Sequence, residues 1–322
     1  MVASRLPIID VSNPDAAAIG RQIDDACRDL GFFLISGHGV SEDAIDRTYA
    51  AGLAFFDLPL GEKSAVARPA PDVSRGYNRV GDQSHAATFG EAPTVDLQES
   101  FGLGPSEARP QPKTPEEAAA FAPNLWPSRP DDLRPALEAY YRAMERLALR
   151  LMELFAEALG VPREFFNRHF DRHASILRLV HYPAQATPPL PGQLRAGPHT
   201  DFGTLTILRV DAAAGGLQVR DHGGDWAAVE ARPGCLVVNI GDLMQRWTND
   251  RWRSSIHRVV NPPRGVAANS RRLSLVFFHE PDPDTVVRPL SSGGRPPSYP
   301  DTVAAAYRQS RVRTLRGVPT KS

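Results

Sequence analysis

The chain has 322 residues, with 37 basic and 37 acidic side chains, and therefore no formal net charge at neutral pH. This balance argues against a protein that is held on nucleic acid by a general basic field. All basic residues except Lys63, Lys113 and Lys321 are arginine, so a single arginine says little about a site. The chain is long enough to bury a sizeable core, and its length alone favours about two domains.

Cysteine usage and hydrophobic runs bear on the compartment. Cys27 and Cys235 are the only cysteines, and neither belongs to a CxxC pair, which excludes a disulfide framework and a cysteine-based zinc site. The first residues lack the cationic start and apolar run of a signal peptide, and no apolar stretch reaches about 18 residues. We expect a cytoplasmic protein that binds neither membrane nor nucleic acid.

The first third of the chain predicts two helices around one short strand. Apolar residues recur at helical spacing over 19–30, and Gly31 follows them as a stop signal. The run GFFLIS is typical of a strand. A second helix is predicted over 45–56, with Ser41 as its N-cap and Pro59 at its end.

Residues 64–130 are rich in Pro, Gly and Ala, which predicts a long loop with one strand at 94–104. Such a loop is often the lid or wall of a site, and a plain linker is the alternative. The clearest helix follows over 131–160, where apolar residues recur at steps of three and four. Gly160 and Pro162 close this helix, and its apolar stripe is typical of core packing.

After residue 174 the pattern changes to short apolar runs separated by turn-forming residues. These runs lie at 175–182, 204–210, 216–220, 226–230, 235–240, 254–260 and 272–278. Many short strands at regular spacing predict a β-sandwich or barrel, and a jelly roll fits their number.

Three residues of this strand-rich half form a candidate metal site, here called the metal triad: His199, Asp201 and His257. Two imidazoles and one carboxylate are the facial ligand set of non-haem Fe(II) oxygenases, which leaves three coordination positions open. Residues i and i+2 of a strand point to the same side, so His199 and Asp201 are expected to face one ion.

An HxD pair is a weak motif by itself, and the chain contains a second one. His169 and Asp171 repeat the spacing, and His222 lies at a similar distance downstream. We reject this set because 168–173 ends the helical region and His222 lies in a glycine-rich turn. His169, His173 and His222 are interpreted as surface or loop histidines.

A second group strengthens the first, and we call it the anchor group: Arg272, Ser274 and Tyr182. Arg272 and Ser274 lie two apart on a predicted strand and share a face, where a guanidinium and a hydroxyl suit a carboxylate. Tyr182 is a candidate for a further hydrogen bond. Arg271 is the alternative anchor, but strand register favours Arg272 because Arg271 points to the opposite face.

These motifs resemble the isopenicillin N synthase-like branch of the Fe(II)/2-oxoglutarate-dependent dioxygenases. The similarity runs from LPIIDVS almost to the end, at PSYPDTVAAAYR. In the N-terminal part it rests on GFFLISGHGV, FFDLP, RGYNRVG, DLQESFGLG and NLWP. In the strand-rich half HTDFGTLTIL, GGLQV, VVNIGDLMQRWTND, SSIHRVV and RLSLVFF match in the same order.

The resemblance implies both fold and roles. The metal triad would bind Fe(II), and the anchor group would hold the distal carboxylate of 2-oxoglutarate. The fold would be mostly β with helices (α+β), a double-stranded β-helix (jelly-roll) core with an N-terminal helical wrap. The expected regions of one compact, monomeric enzyme are 1–125 (N-terminal region), 126–174 (long helix and connector), 175–285 (oxygenase core) and 286–322 (C-terminal tail).

The chain departs from the family pattern in two places. The family's Asn-Tyr-Tyr-Pro segment reads Val-His-Tyr-Pro here, so that Val180 replaces an asparagine near the metal-bound end of 2-oxoglutarate. The gap between His257 and Arg272 is also longer, and we expect a hairpin extension to absorb PPRGVAANS.

The implied reaction couples oxidative decarboxylation of 2-oxoglutarate, with O₂, to oxidation of a small metabolite, releasing succinate and CO₂. Hydroxylation, desaturation, epoxidation and ring closure are all open, whereas Asp201 argues against halogenation because halogenases leave that position free for halide. The main alternative is an Fe(II) oxidase of the isopenicillin N synthase type that uses no 2-oxoglutarate. A metal-free binding protein and a zinc hydrolase on the same triad are further alternatives.

The sequence does not identify the substrate, and a role in specialised metabolism is an expectation by family analogy. The loop over 70–100 and the C-terminal tail are expected to wall the substrate site. The candidate substrate contacts are Arg75, Tyr77, Asn78, Gln98, Phe202 and Phe278. A dry apolar shell around the metal is expected from Leu205, Ile207, Val276 and Phe278.

Overall fold

The computed structural model describes residues 6–85, 94–107, 111–211, 213, 215–290 and 296–315. Within them the strands are β1 (Ile8–Asp10), β2 (Phe32–Ser36), β3 (Gly76–Asn78), β4 (Glu99–Leu103), β5 (Ile176–Tyr182), β6 (Ala196–His199), β7 (Leu205–Arg209), β8 (Leu217–Arg220), β9 (Trp226–Ala228), β10 (Leu236–Ile240), β11 (His257–Val259), β12 (Arg272–His279), β13 (Val286–Val287) and β14 (Thr302–Val303). The helices are α1 (Ala16–Asp29), α2 (Glu42–Phe56), α3 (Leu60–Ser64), α4 (Pro115–Ala120), α5 (Leu133–Leu159), α6 (Asp242–Trp247) and α7 (Ala304–Leu315).

Two sheets form the core of the fold. The larger has the order β1-β2-β10-β7-β12-β5-β4-β3, and the smaller has the order β6-β11-β8-β9. All neighbours pair antiparallel except β1 and β2. Apolar residues of both sheets form one buried cluster between them, including Val180, Val219, Val259 and Val276. The predicted α+β class with a jelly-roll core is confirmed.

The helices cover the other face of the larger sheet. Strand β12 alternates, so that Leu273, Leu275 and Phe277 pack in the helix-side core while Val276 faces the smaller sheet. Helix α5 packs against α1, α2 and β12 and supplies the largest part of this core. The N-terminal helices therefore wrap one face and leave the other to the site.

Local sequence explains where the main helices start and stop. The Asp15 carboxylate accepts a hydrogen bond from the backbone N–H of Ala18 and caps α1. Gly160 ends α5 with a φ of +70°, a left-handed conformation that favours glycine. Ser41 is the N-cap residue of α2, as predicted, although its side chain makes no capping hydrogen bond.

The structure differs from the sequence-based prediction in several elements. Pro59 does not simply end a helix, because it is the N-cap of the short helix α3. The expected hairpin after β11 is a 3-10 turn over Arg264–Asn269. Strand β6 and helices α4, α6 and α7 were not predicted, since each is short or lacks a clear apolar period. Among the helices of the described residues, none combines the length and apolarity needed to cross a bilayer.

Candidate metal and co-substrate site

The two histidines of the metal triad lie on neighbouring strands of the smaller sheet. His199 ends β6 and His257 begins β11, and the two residues are direct partners in the ladder. Their ring centroids are 4.2 Å apart. Pairing across two strands brings together side chains that are far apart in sequence and points both rings into the space between the sheets.

Asp201 joins them by a route that the sequence did not show. Strand β6 ends at His199, so the two residues do not share one strand face as predicted. The Oδ1 atom of Asp201 still lies 3.8 Å from Nε2 of His257, and both residues are buried. One candidate ligand atom from each of the three residues falls within 4.8 Å of the others. The described residues contain no second group of this kind.

Hydrogen bonds fix the orientation of both rings. Nδ1 of His199 lies 2.8 Å from the carbonyl oxygen of Gly197, and Nδ1 of His257 lies 3.0 Å from that of Ser255. A carbonyl only accepts, so each Nδ1 carries the proton and each Nε2 keeps its lone pair for a metal.

The carboxylate is held by two side chains from the larger sheet. Thr206 Oγ1 and Asn239 Nδ2 each donate to Oδ2 of Asp201 at 2.7 Å. These donors occupy one carboxylate oxygen and leave Oδ1 turned toward His257. Sequence reasoning missed both residues, although a polar Asn239 inside the buried run LVVNI was an available signal.

Burial favours the metal-binding form of the imidazole. Desolvation lowers the pKa of His199 well below its usual range, and the neighbouring rings of His85 and His257 lower it further. A neutral imidazole is the form that coordinates a metal ion. The donor set, its orientation and its protonation therefore fit a divalent transition metal.

The anchor group lies on the adjacent strands β5 and β12. Arg272 pairs with Tyr182 and Ser274 pairs with Val180 across this ladder. Arg272 donates from Nη1 to the Gly215 carbonyl at 2.8 Å, while its buried Nε has no hydrogen-bond partner among the described residues. A buried donor without a partner is rare in proteins and is typical of a ligand site.

Arg271 is placed on the other face, as the register predicts. Its Nε donates to Nε2 of His181 at 2.8 Å, and its Nη2 lies 2.8 Å from the Asp57 carboxylate. Arg271 is thus bonded within the helix side of the sheet and faces away from Arg272.

One cavity joins the two groups. This inner cavity is lined by the whole metal triad and the whole anchor group, together with Thr206, Asn239, Val180 and other residues between the sheets. Tyr182 is fully enclosed there, and burial raises the pKa of its hydroxyl to about 12, so it remains a hydrogen-bond donor at neutral pH.

A second cavity lies beside the first, under helix α7. This α7 cavity shares His85, Arg178, Phe278 and part of the metal triad with the inner cavity. Its remaining wall is formed by Ser74, Ile176, Thr200, Phe202, Glu280, Arg308, Val312 and Leu315. The C-terminal segment therefore walls the site, although the sequence did not predict that it is a helix.

The candidate substrate residues divide into two sets. Gln98 lines the inner cavity, Phe202 lines the α7 cavity and Phe278 lines both. The structure does not bring Tyr77 to either cavity: its hydroxyl donates to Glu99.

Asn78 and Arg75 are also placed elsewhere. Asn78 donates to the hydroxyl of Ser100 at 3.3 Å, and Arg75 donates to the carbonyl of Ala120 at 2.7 Å. Arg75 lines a separate cavity near Trp126. Of the expected dry shell, Val276 and Phe278 face the inner cavity.

Leu205 and Ile207 lie instead in the helix-side core, one face away from the metal triad. Their neighbours Thr206 and Leu208 are the residues of β7 that line the inner cavity. The error is one of register, because a shift by one residue exchanges the two faces of a strand.

The rejected histidines have other environments. His169 lies in a 3-10 turn with its ring 4.9 Å from that of Trp247. His222 is exposed and hydrogen-bonded to Arg253, and Nε2 of His173 lies 2.6 Å from a Glu145 carboxylate oxygen.

His85 and Arg178, which line both cavities, were also missing from the sequence-based set. His85 packs its ring 4.0 Å from that of His199, and its Nδ1 lies 2.5 Å from an Asp96 carboxylate oxygen. Arg178, on β5, lines both cavities.

Known proteins resemble the chain over nearly its whole length. Residues 6–129 match the family described as non-haem dioxygenase in morphine synthesis N-terminal, and residues 173–281 match the 2OG-Fe(II) oxygenase superfamily. Validamycin A dioxygenase of Streptomyces hygroscopicus subsp. limoneus is 37% identical, over 89% of this chain and 80% of the relative. Gibberellin 20 oxidase 1 of Oryza sativa subsp. japonica is 36% identical, over 91% and 77% respectively.

Solved structures agree with this. A full-length Neurospora crassa protein in complex with alpha-KG (2-oxoglutarate) superposes with a TM-score of 0.81 at 27% identity, covering 95% of each chain. A 2OG-Fe(II) oxygenase family protein from Caulobacter crescentus superposes with a TM-score of 0.82 at 29% identity, covering 97% of this chain and 99% of the other. The fold, the donor set and these relatives agree, and the chain belongs to the 2OG-Fe(II) oxygenase superfamily as an Fe(II)/2-oxoglutarate-dependent dioxygenase that oxidises a small molecule.

Proposed function

We propose that the metal triad holds the Fe(II) of this dioxygenase and that the anchor group holds the distal carboxylate of 2-oxoglutarate. The observation that carries the proposal is the inner cavity, which both groups line. When bound, iron and 2-oxoglutarate supply the oxidising chemistry, which consumes O₂ and releases succinate and CO₂.

The protein contributes fixed ligand positions. The two Nε2 atoms and Oδ1 of Asp201 occupy three positions of a facial set and leave three for co-substrate and O₂. Thr206 and Asn239 keep Asp201 turned toward this set. Because outer partners of this kind orient the ligands, we expect them to affect iron affinity as well as rate.

The anchor group supplies charge and two hydroxyls at the far end of the inner cavity. Arg272 offers the unpaired Nε, and Ser274 and Tyr182 lie on the same face of the β5–β12 ladder. A guanidinium binds a carboxylate through parallel hydrogen bonds, which fixes the position of the co-substrate as well as its affinity.

Apolar residues between these two groups keep the reacting atoms from water. Leu208, Leu217, Val259 and Val276 line the inner cavity between the metal triad and the anchor group. A dry, preorganised site strengthens each polar contact within it and suppresses side reactions. Val180 belongs to this apolar wall, in place of the family's asparagine.

We further propose a substrate from specialised metabolism, which the name of the Streptomyces relative supports. Relatives named as hydroxylases support hydroxylation as the outcome. A product that gains one oxygen atom indicates hydroxylation or epoxidation, which the presence of a hydroxyl in the product separates, and a product that loses two hydrogens indicates desaturation or ring closure. The expected monomer stays a prediction, which size-exclusion chromatography tests.

The test has two stages. Under argon, wild-type protein with Fe(II) and 2-oxoglutarate should develop a visible charge-transfer band, and His257→Ala should not. In air, a screen of small metabolites should show succinate release coupled to substrate loss. Substrate oxidation that continues without 2-oxoglutarate would contradict the proposal and favour the oxidase alternative, and activity with Zn(II) under argon would favour a hydrolase.

A further inference from the structure

We infer that the α7 cavity binds the carboxylate of the primary substrate through the guanidinium of Arg178, so that the substrate is an organic acid with an apolar body. This inference rests on the proposed function, since it assumes that the substrate approaches the metal triad from the α7 side. It assigns a substrate class to a cavity that the co-substrate anchor does not occupy.

Arg178 is a charged group without a counterpart. It lies in the middle of β5, between β4 and β12, and faces both cavities. Among the described residues, none receives a hydrogen bond or forms an ion pair with its guanidinium. By comparison, the buried Arg75 and Arg195 donate to backbone carbonyls.

Arg178 remains a cation in this setting. Burial lowers the pKa of Arg178 to about 10, the positive charges of Arg68 and Arg308 contribute in the same direction, and Asp201 and Tyr182 oppose them. At neutral pH the group is therefore charged. Arg178 is half-buried and lines the cavities, so its charge is accessible to an anion, and a bound anion would stabilise the site.

The position of Arg178 separates it from the co-substrate anchor. Arg178 pairs with Val276 and Tyr182 pairs with Arg272, which places the two guanidiniums four residues apart along one face of the ladder. This spacing corresponds to about 13 Å along a strand. Because His199 and Asp201 line both cavities, a ligand on Arg178 would lie beside the metal on the side away from Arg272.

The other charges of the α7 cavity largely compensate each other. Nε of Arg308 lies 3.5 Å from the Glu280 carboxylate, and Nη2 of Arg308 donates to the hydroxyl of Ser74 at 2.8 Å. Burial raises the pKa of Glu280 to about 7, although Arg308 opposes this shift. The ion pair between Arg308 and Glu280 occupies both groups, and the charge of Arg178 is left over.

The rest of the α7 cavity is apolar, which indicates that the body of the substrate is apolar. Ile176, Phe202, Phe278, Val312 and Leu315 form its walls. One available guanidinium fits a monoanionic carboxylate, whereas a phosphate dianion would require a second free cation and Arg308 is already bonded. An apolar body beneath α7 would contribute about 25 cal/mol for each Å² of apolar surface that it buries.

Calorimetric titration of the full chain under argon tests this, with Fe(II) and saturating 2-oxoglutarate present. The probes are hexanoate and phenylacetate, each beside its primary amide, and phenyl phosphate. Each acid should bind at least about tenfold more tightly than its amide, because only the carboxylate forms a charge-assisted hydrogen bond with the guanidinium of Arg178. Arg178→Gln should remove this preference and Arg178→Lys should retain part of it. Arg220→Gln, an exposed change on β8, should leave the preference intact.

Four results would overturn the inference: acids that bind no better than their amides, a preference that survives Arg178→Gln, tighter binding of phenyl phosphate than of phenylacetate, or a preference that depends on Arg272 instead. The comparison of acid with amide uses the wild-type chain, so it holds even if a variant fails to fold. Repeating the titration without metal and 2-oxoglutarate separates the two proposals. If the acids bind in an Arg178-dependent manner but Fe(II) and 2-oxoglutarate give no charge-transfer band, the proposed function is wrong while the inference about Arg178 stands.

Discussion

The β5–β12 ladder has two faces, and their polar side chains are bonded in opposite ways. On the helix side, Glu99 accepts hydrogen bonds from Lys63, Tyr77 and His181, at 2.9, 2.5 and 2.7 Å. His181 in turn accepts one from Arg271 at 2.8 Å. This face forms a closed network in which each charged group has a partner.

On the side toward the smaller sheet, the charged groups are left open. Nε of Arg272 is buried without a partner, and the guanidinium of Arg178 has none among the described residues. Both faces belong to the same two strands, so strand alternation predicts which residues share a face but does not predict how those residues are bonded. On this ladder the bonded charges of the helix side support the fold, whereas Arg272 and Arg178 still have donors to offer to a ligand in the cavities that they line.

The largest effect is expected on the open face, at the metal triad. His257→Ala should reduce succinate formation to the level of the iron-free protein, because two ligands hold the metal weakly and leave its geometry unfixed. Iron content after gel filtration and succinate release measure this. His169→Ala is the control, since that ring packs on Trp247 outside both cavities, and it should keep wild-type activity. Equal losses in the two variants would refute the assignment.

The next effect is expected on the closed face and should concern stability. Glu99→Gln removes the charge that pairs with buried Lys63, and we expect the free energy of unfolding in urea to fall by about 3 kcal/mol. The KM for 2-oxoglutarate should stay unchanged. Glu62→Gln, at the exposed pair with Arg129, should change neither quantity. A raised KM in Glu99→Gln would show that the two faces are coupled.

The same residue gives a pH signature. Burial alone would raise the pKa of Glu99, but hydrogen bonds from His181, Tyr77 and Lys63 outweigh it and lower the pKa below its usual value of 4.5. A lowered pKa in the folded state means that the carboxylate stabilises the protein above its usual pKa and loses this contribution as the pH falls through the folded value. Urea titrations across acidic pH should therefore show a shallower loss in Glu99→Gln than in wild type.

Substitutions of two adjacent arginines, one on each face of β12, compare the open face with the closed face directly. Arg272→Gln should raise the KM for 2-oxoglutarate on the order of 100-fold, because it removes the charged fork from the inner cavity. Arg271→Gln should leave that KM unchanged and lower stability by about 1 kcal/mol, since it removes the hydrogen bond to buried His181 as well as the ion pair with exposed Asp57. Steady-state kinetics in 2-oxoglutarate measures both. Similar KM values in the two variants would show that the register assignment is wrong.

Much of this contrast could be predicted from sequence where periodicity decides it. The alternation of RLSLVFF separates Arg272 from Arg271, and the structure places them on opposite faces. The long helix and most core strands follow from their apolar periods. Leu205 and Ile207 were misplaced because apolar residues were expected on the metal side, whereas that face of β7 carries the polar Thr206, which bonds Asp201, and these two apolar residues face the helices.

The open charge at Arg178 could not be predicted. In a chain whose basic residues are almost all arginine, one more arginine in a strand carries no information by itself. The absence of a partner for Arg178 among the described residues depends on the position of α7, where Arg308 bonds Glu280 and Ser74 instead. These are tertiary contacts between distant segments of the chain. Tyr77 was placed wrongly for the same reason, because its partner Glu99 is fixed only by the pairing of β3 with β4.

The smallest effect is expected at Asn239, which combines features of the closed face and of the open face. Asn239 is buried and bonded, as on the closed face, but its partner is Asp201 of the metal triad. Asn239→Leu should therefore weaken Fe(II) binding by about tenfold, because Oδ2 loses one of its two donors and the carboxylate gains freedom to turn. Thr206→Val removes the other donor and should act in the same direction.

Iron titration followed by the charge-transfer band measures this effect separately from folding. Asn167→Leu, in an exposed 3-10 turn, is the matched control and should leave iron affinity unchanged. If Asn239→Leu lowers stability in urea while iron affinity stays at the wild-type value, Asn239 belongs with the closed network. If iron affinity falls while the metal-free variant unfolds at the same urea concentration as the metal-free wild type, Asn239 acts through Asp201. The role of a buried, hydrogen-bonded group then depends on which residue it bonds, and not only on whether it is bonded.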